Sequence, residues 1–350
     1  MGNYDPELPR TALEDAHEAS ESGDGRKEVK YPFAFKNLDW DEYHLFRPRY
    51  PQSMLEMWLD YHREHGGKFH CLHDVGAGPG TLSMSLHPLF DHVVVSDAGS
   101  ANVQSAKRSL TSTTVSPKFE FIQSPAETVH ASIPPSSVDL VTVGMAFHYF
   151  NTPEAIRSIA HMLKPGGTLA AATYGFRLRF PGRPALECLW YRVTSKESLR
   201  LLREGRLFPA AVNGMAAAMA GLDSVPLPTE LFETGAKRIL VNVEGDNDGR
   251  PFCFIDEDPK CWQPAPNRVG ATDTQSSVRD ASWRRAADAA WLKGFLESSQ
   301  MGFGQQTWGT AEWMQLESMV RSAGGQVMVE WPVAIILATR NDRPVSAVGE

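Results

Sequence analysis

The stretch Asp74-Val75-Gly76-Ala77-Gly78-Pro79-Gly80 constrains this chain more than any other. An apolar run from Phe69 to Leu72 precedes it, and an amphipathic run marked by Leu82, Leu86, Leu89 and Phe90 follows. That order predicts a strand, a glycine turn and a helix. Glycines at 76, 78 and 80 let the backbone turn sharply and leave no side chain between it and a ligand. The helix start that follows adds free N–H groups and the positive end of a dipole. A flat, polar group such as a nucleoside can lie against such a loop.

Several nucleotide-binding folds use a glycine loop, and a second acid narrows the choice. Asp91 to Asp97 reads as an apolar strand ending in Asp97, which lies 21 residues after Gly76 (97 − 76). In a doubly wound sheet an acid at this place reaches a ribose hydroxyl pair; the competing reading is a cap on the next helix. Strand–helix alternation continues to about residue 175, with strands predicted at 69–76, 92–97, 119–123, 138–145 and 167–174. Ile156, Ile159, Ala160 and Leu163 mark a helix that Lys164-Pro165-Gly166-Gly167 is expected to end. The predicted class is α/β with a doubly wound sheet.

Asp74 to Gly80 resembles motif I of class I S-adenosylmethionine-dependent methyltransferases. Its spacing, G-x-G-x-G, differs from the dinucleotide-binding G-x-G-x-x-G. Further resemblances follow in order. Ile122-Gln-Ser-Pro-Ala-Glu127 is similar to the segment beside the adenine, Ser137 to Phe150 to the fourth strand and its His-aromatic-Phe end, and Met162 to Leu169 to the turn into the fifth strand. Tyr43 to Pro51 resembles an N-terminal segment of the trans-aconitate methyltransferase-like subgroup. The likeness covers about residues 36 to 175 and, more weakly, 305 to 340. It implies a Rossmann-like, mostly parallel, seven-stranded sheet and S-adenosyl-L-methionine as cofactor.

The resemblance also implies roles. Asp74 would help to hold the methionine end, and Gly76, Ala77 and Gly78 would bring backbone against the methionine and ribose. Asp97 would accept from the ribose hydroxyls; Ala126 and Glu127 would lie near the adenine. Pro125 stands where relatives carry an acid for the adenine amino group, so Ser124 or a backbone carbonyl would have to substitute. Ala146 and Phe147 at the end of the fourth strand, and Tyr50 upstream, complete the cofactor set. His148 follows directly; it is a candidate general base or a wall of the pocket. On the acceptor side the candidates are Tyr43, Arg47, Tyr149, Arg177, Arg179 and Trp308. An arginine fork suits a carboxylate, and aromatic faces suit a sulfonium. The competing readings are solvated arginines, with Arg183 beside them, and core tryptophans, with Trp313 beside Trp308.

The chain has 350 residues and a net charge of −8, with no basic stripe, which argues against nucleic acid as substrate. It has no apolar run long enough for a bilayer and no targeting signal in its polar, acidic start. Cys71, Cys188, Cys253 and Cys261 form no C-x-x-C pair, so a reducing cytoplasm is the simplest location. His70 and His73 fall on opposite faces of one strand, and no metal is expected. Residues 1–30 read as a disordered acidic tail, 31–175 as the cofactor-binding core with its N-terminal segment, 176–304 as an insertion forming a substrate lid, and 305–350 as C-terminal strands completing the sheet. The insertion reads as mainly helical, at 185–205, 210–221 and 281–299, with a Pro/Gly/acidic segment from Glu244 to Asp280. Pro332 should bend the last strand pair. The expected activity is methylation of a small molecule of specialised metabolism, at a carboxylate or hydroxyl oxygen. A non-methylating cyclisation or elimination on the same fold, and a non-enzymatic nucleoside-binding regulator, are the alternatives. Oligomeric state is left open.

Overall fold

The computed structural model describes residues 40–112, 118–204, 209–243, 252, 265–299 and 301–343. The acidic tail, Cys253, Cys261 and most of the Glu244–Asp280 segment lie outside the described residues. Two helices lead in, α1 (Trp40–Phe46) and α2 (Gln52–Glu64), and then the alternation begins. It runs β1 (Cys71–Val75), α3 (Thr81–Leu86), β2 (His92–Asp97), α4 (Ser100–Thr111), β3 (Lys118–Gln123), β4 (Val138–Gly144), α5 (Thr152–Met162) and β5 (Leu163–Tyr174). The central strands are short apolar runs buried on both faces, as parallel strands under helices must be.

Side-chain alternation sorts these strands between two cores. Leu72, Leu140 and Ala170 pack with Met54, Leu55 and Trp58 of α2. Val75, Val141 and Ala171 pack with Ile156 and Ile159 of α5. A one-residue slip in any strand would exchange the two sets, so the register is tightly specified.

The expected stop at Lys164–Gly167 takes another form. Helix α5 already ends at Met162, and β5 starts at Leu163. Pairing jumps from Val138↔Leu163 to Leu140↔Thr168, so the Lys-Pro-Gly-Gly run is a bulge inside the strand. Gly166 supplies the positive φ this needs, at 77°.

The insertion is mainly helical among the described residues, as predicted, but it also carries strands. After α6 (Pro184–Arg203) and α7 (Pro209–Met219) it adds β6 (Lys237–Val241), β7 (Thr274–Val278) and β8 (Arg284–Ala287), followed by α8 (Ala289–Glu297). The chain ends with α9 (Gln305–Trp308), α10 (Ala311–Ser322), β9 (Val327–Glu330) and β10 (Val333–Thr339). The main sheet therefore has eight strands, not seven, in the order β3-β2-β1-β4-β5-β10-β6-β7. Of the expected final strand pair only β10 joins it, antiparallel to both β5 and β6. Pro332 separates β10 from β9, which leaves to pair with β8 in a two-stranded sheet. Residues 281–287, read as helix, are a short turn of helix and that strand.

The strand order reverses between β1 and β4, and in open α/β sheets ligands bind at the carboxyl ends of such a switch point. No described helix is long and apolar enough to cross a membrane. His70 is exposed against Asp91 at 2.9 Å while His73 is buried against Ser96 Oγ at 2.8 Å. No metal-holding cluster of His, Cys, Asp or Glu occurs among the described residues.

Candidate active site

The glycine loop leaves β1 with positive φ at Gly76 (66°), Gly78 (55°) and Gly80 (85°). A Cβ at Gly76 would lie 2.7 Å from Ala146 Cβ and 2.9 Å from Phe150 Cζ, so the loop passes hard against the end of β4. Gly78 donates its N–H to Asp97 Oδ2 at 2.9 Å. Asp97 Oδ1 accepts from Gly99 N–H at 2.8 Å and Asn102 Nδ2 at 2.9 Å. A carboxylate has about four lone-pair sites, so Asp97 holds the loop and keeps acceptor capacity toward the cavity it lines. Burial pushes its carboxyl above the ordinary value, against these three hydrogen bonds.

Asp74 ties three elements together. Its Oδ2 accepts from Ser83 N–H at 3.1 Å and Ser83 Oγ at 2.7 Å at the start of α3, and its Oδ1 accepts from Thr142 Oγ1 at 3.1 Å on β4. Burial outweighs these hydrogen bonds and, with a smaller contribution from the charge of Asp97, pushes the carboxyl up to about 6. A raised carboxyl binds its proton more tightly folded than unfolded. The stability it contributes is present below its ordinary value of 3.8 and is lost as pH rises toward 6. We expect the carbon-13 signal of this carboxyl to titrate near pH 6. A midpoint near the ordinary value would mean that the hydrogen bonds, not burial, win.

A cavity opens at these strand ends. Of the residues proposed from sequence, it brings together Tyr43, Arg47, Tyr50, Asp74, Gly76, Ala77, Gly78, Asp97, Ala126, Ala146, His148 and Tyr149, with Ser124 beside Ala126. Five others lie outside it. Glu127 accepts from Asn151 N–H at 2.7 Å. Phe147 is buried in the core on the α5 side. The Arg177 guanidinium stacks on Tyr191 at 3.7 Å. Arg179 sits 3.8 Å from Glu187 and pairs its backbone with Glu330. Trp308 packs on Trp313 and donates to Glu297 at 3.2 Å.

The lining also includes residues that sequence reasoning missed. Tyr174 and Phe176 stand at the end of β5, where the carboxyl-edge rule could have found them. Gly214, Met215, Ala218, Phe252, Ser299 and Met301 come from the insertion, and no local pattern announces them. Gly214 allows α7 a close approach; a Cβ there would lie 3.1 Å from Tyr149 Cε1. Met145, between β4 and the His148 turn, is held at φ 54°. Its sulfur accepts from Tyr174 N–H at 3.1 Å and Thr173 Oγ1 at 3.3 Å, which offsets a conformation that non-glycine residues avoid.

The N-terminal segment closes one wall. Trp291 Nε1 donates to Leu45 O at 3.1 Å, and Gly294 gives Phe46 room against α8. Arg47 Nη2 donates to Ser298 O at 2.7 Å, and its guanidinium lies over the rings of Tyr43 (4.8 Å), Phe176 (4.9 Å) and Phe295 (5.6 Å). Burial, and then the charge of Arg47, push the His148 imidazolium down to about 3. Burial raises the hydroxyls of Tyr50, Tyr149 and Tyr174 above their ordinary range.

The methyltransferase domain family matches residues 73–171. The methyltransferase gedG of Aspergillus terreus is 30% identical over 307 residues, covering 87% of this chain and 92% of its own. The methyltransferase tpcM of Aspergillus fumigatus is 31% identical over 310 residues, covering 88% and 93%. Among solved structures, one described as a type II methyltransferase from Anaeromyxobacter dehalogenans aligns with a TM-score of 0.50 at 18% identity, over 84% of this chain and 98% of that one, and shares the fold.

Proposed function

This chain belongs to the class I S-adenosylmethionine-dependent methyltransferases, and from that premise we propose that it methylates a small molecule of specialised metabolism at oxygen. The single observation that carries the small-molecule reading is that one cavity is lined both by the glycine loop and Asp97 of the core and by Met215, Ala218, Ser299 and Met301 of the insertion. We read 176–304 accordingly as a lid that is also a structural part of the sheet, and 31–175 as the cofactor-binding core. A net charge of −8 supports an acceptor other than nucleic acid.

The residues present fit the cofactor. Positive-φ glycines offer bare backbone, Asp97 offers carboxylate acceptors for a ribose diol, and Ser124 and Ala126 line the adenine side. When bound, the cofactor supplies an electrophilic methyl group on a sulfonium. What remains for the protein is orientation. Asp74 fixes β1, β4 and α3 around the loop, and Tyr50 stands over Gly144, where an added Cβ would meet its hydroxyl at 2.5 Å. His148 stays neutral at physiological pH and is a poor proton acceptor, which favours the wall role over the base. Of the trans-aconitate methyltransferase-like subgroup we retain only the placement of the N-terminal segment, whose Tyr43, Arg47 and Tyr50 all face the cavity.

The test is calorimetric titration of S-adenosylhomocysteine into the purified protein. Binding at roughly micromolar Kd is expected, about −8 kcal/mol. No binding at millimolar ligand would overturn the reading.

A further inference from the structure

The sheet order divides the cavity between the parts of the cofactor. From one edge the strands run β3-β2-β1-β4-β5. Asp97 ends β2, Gly76 follows β1, Gly144 ends β4 and Tyr174 ends β5. Helix α7 reaches the cavity beyond β4, where a Cβ at Gly214 would lie 3.1 Å from Tyr149 Cε1, so the acceptor end is on that side. A ribose held by Asp97 therefore sends its methionine arm over β1 toward β4. Its base goes the other way, to the end of β3, where Ser124 and Ala126 line the cavity.

The carboxylates among the described lining residues are Asp74, tied to Thr142 on β4, and Asp97. Neither stands at the end of β3. Two neutral groups there have capacity to spare. Ala126 is 5% exposed, and its N–H donates to no described group; a buried N–H without a partner is rare. Ser124 Oγ donates to Pro125 O at 3.2 Å and lies 3.4 Å from Thr128 Oγ1, and its remaining lone pair can accept from a ligand. Pro125, between them, has neither an N–H nor a polar side chain. Glu127 lies outside the lining. Its Oε1 accepts from Asn151 N–H at 2.7 Å at the start of α5, and its Oε2 is buried with no partner among the described residues. Adenine presents on one edge an acceptor, N1, beside a donor, the 6-amino group. A backbone N–H and a hydroxyl acceptor are the complement of that edge.

We propose that this site reads the purine through N1, on the Ala126 N–H, and that the 6-amino group is met only by the Ser124 hydroxyl, so that a cofactor lacking this amino group is accepted. This inference rests on the methyltransferase reading. A hydrogen bond between neutral groups contributes roughly half of one to a carboxylate, so deleting the amino group removes little. A 6-oxo purine is a different case. Its N1 carries a hydrogen, two donors then face each other, and the buried Ala126 N–H stays unsatisfied. The predicted selectivity is thus for the ring acceptor and not for the exocyclic amine, and Ser124 is the residue that sets what little preference the amine has.

The probes are S-adenosylhomocysteine, its analogue with hydrogen at purine carbon 6, and its hypoxanthine analogue, each titrated calorimetrically into the unaltered protein. The 6-hydrogen analogue is expected to bind within about fivefold of S-adenosylhomocysteine, and the hypoxanthine analogue at least about tenfold more weakly. A loss of tenfold or more with the 6-hydrogen analogue overturns the proposal and hands the amino group to a carboxylate, for which Glu127 is the candidate. Hypoxanthine binding equal to that of adenine overturns it as well, because N1 is then not read. Ser124→Ala is expected to weaken S-adenosylhomocysteine by no more than about fivefold and to leave the 6-hydrogen analogue unchanged. Equal losses on both ligands would make Ser124 a prop of the turn and count against it. Pro125→Asp puts a carboxylate into this turn and is expected to raise the preference for the amino group to about tenfold or more; no gain would mean that the amino group points away from the turn, against the proposal. Failure of the parent reading looks different, because the unaltered protein then binds none of the three ligands.

Discussion

Replacing Asp97 by alanine is expected to weaken S-adenosylhomocysteine binding by about a hundredfold or more. Two ribose hydroxyls donating to one carboxylate are charge-assisted hydrogen bonds, each contributing about 1.5–3 kcal/mol. The substitution also frees the N–H groups of Gly78 and Gly99 and the Asn102 amide, so the loop loses the acceptor that holds Gly78 at positive φ. Stability should move the other way or little. Burial holds this carboxyl above its ordinary value, so folding works against its charge at neutral pH. A residue that costs stability and organises a loop is the pattern expected of a binding group. Calorimetry and a thermal melt on the same preparation separate the two effects. A near-normal affinity with a lowered melting temperature would mean that Asp97 only caps the turn into α4, the reading that its sequence position also allowed.

The parts of this molecule that were legible in the sequence share one physical property: their signal is local. Strands β1, β2 and β4 are apolar runs next to glycine or acid punctuation, and the loop glycines are where positive φ is needed. Of the strands that escaped detection, β6 carries the apolar run Ile239-Leu240-Val241 after Gly235, but β7 and β8 have no such signal. The five residues of β7, Thr274 to Val278, are all exposed and mostly polar, and only pairing with β6 makes them a strand. Residues Arg284 to Ala287 look helical in isolation and become β8 because β9 turns away from the main sheet past Pro332. The same division runs through the site. Asp74, Gly76 and Asp97 are fixed by short-range order, whereas Met215, Phe252 and Met301 reach the cavity by tertiary packing alone. Arg177 and Arg179 follow β5 as expected, but each finds a partner within the insertion, Tyr191 and Glu187, before it reaches the cavity.

Replacing Asp273 by alanine is expected to destabilise the protein by about 3–5 kcal/mol, the usual loss when one member of a buried ion pair is removed. Arg238 on β6 donates Nε to Asp273 Oδ2 at 2.6 Å, and the two side chains are 5% and 2% exposed. The rest of the guanidinium donates to Leu222 O and Val225 O, each at 2.9 Å, just past α7, while Asp273 also accepts from Gly270 N–H at 3.0 Å. One arginine thus ties the turn after α7 and the approach to β7 to the edge of the main sheet. Without Asp273 its charge stays buried with Nε idle, and the melting temperature should fall on the order of 10 °C. Exchanging both partners for apolar residues, Arg238→Met with Asp273→Leu, should cost less, because the buried pair goes together and only the half-buried Asp223 carboxyl loses the Arg238 charge. The cofactor corner is built by β1, β2 and β4, and β5 and β10 stand between β4 and β6, so S-adenosylhomocysteine affinity well below the transition should change little. The acceptor end should suffer, because Met215 and Ala218 on α7 wall it just ahead of Leu222. A melt unchanged by Asp273→Ala would make the insertion an ornament on a self-sufficient core. The expected fall would make it part of the sheet that carries the site.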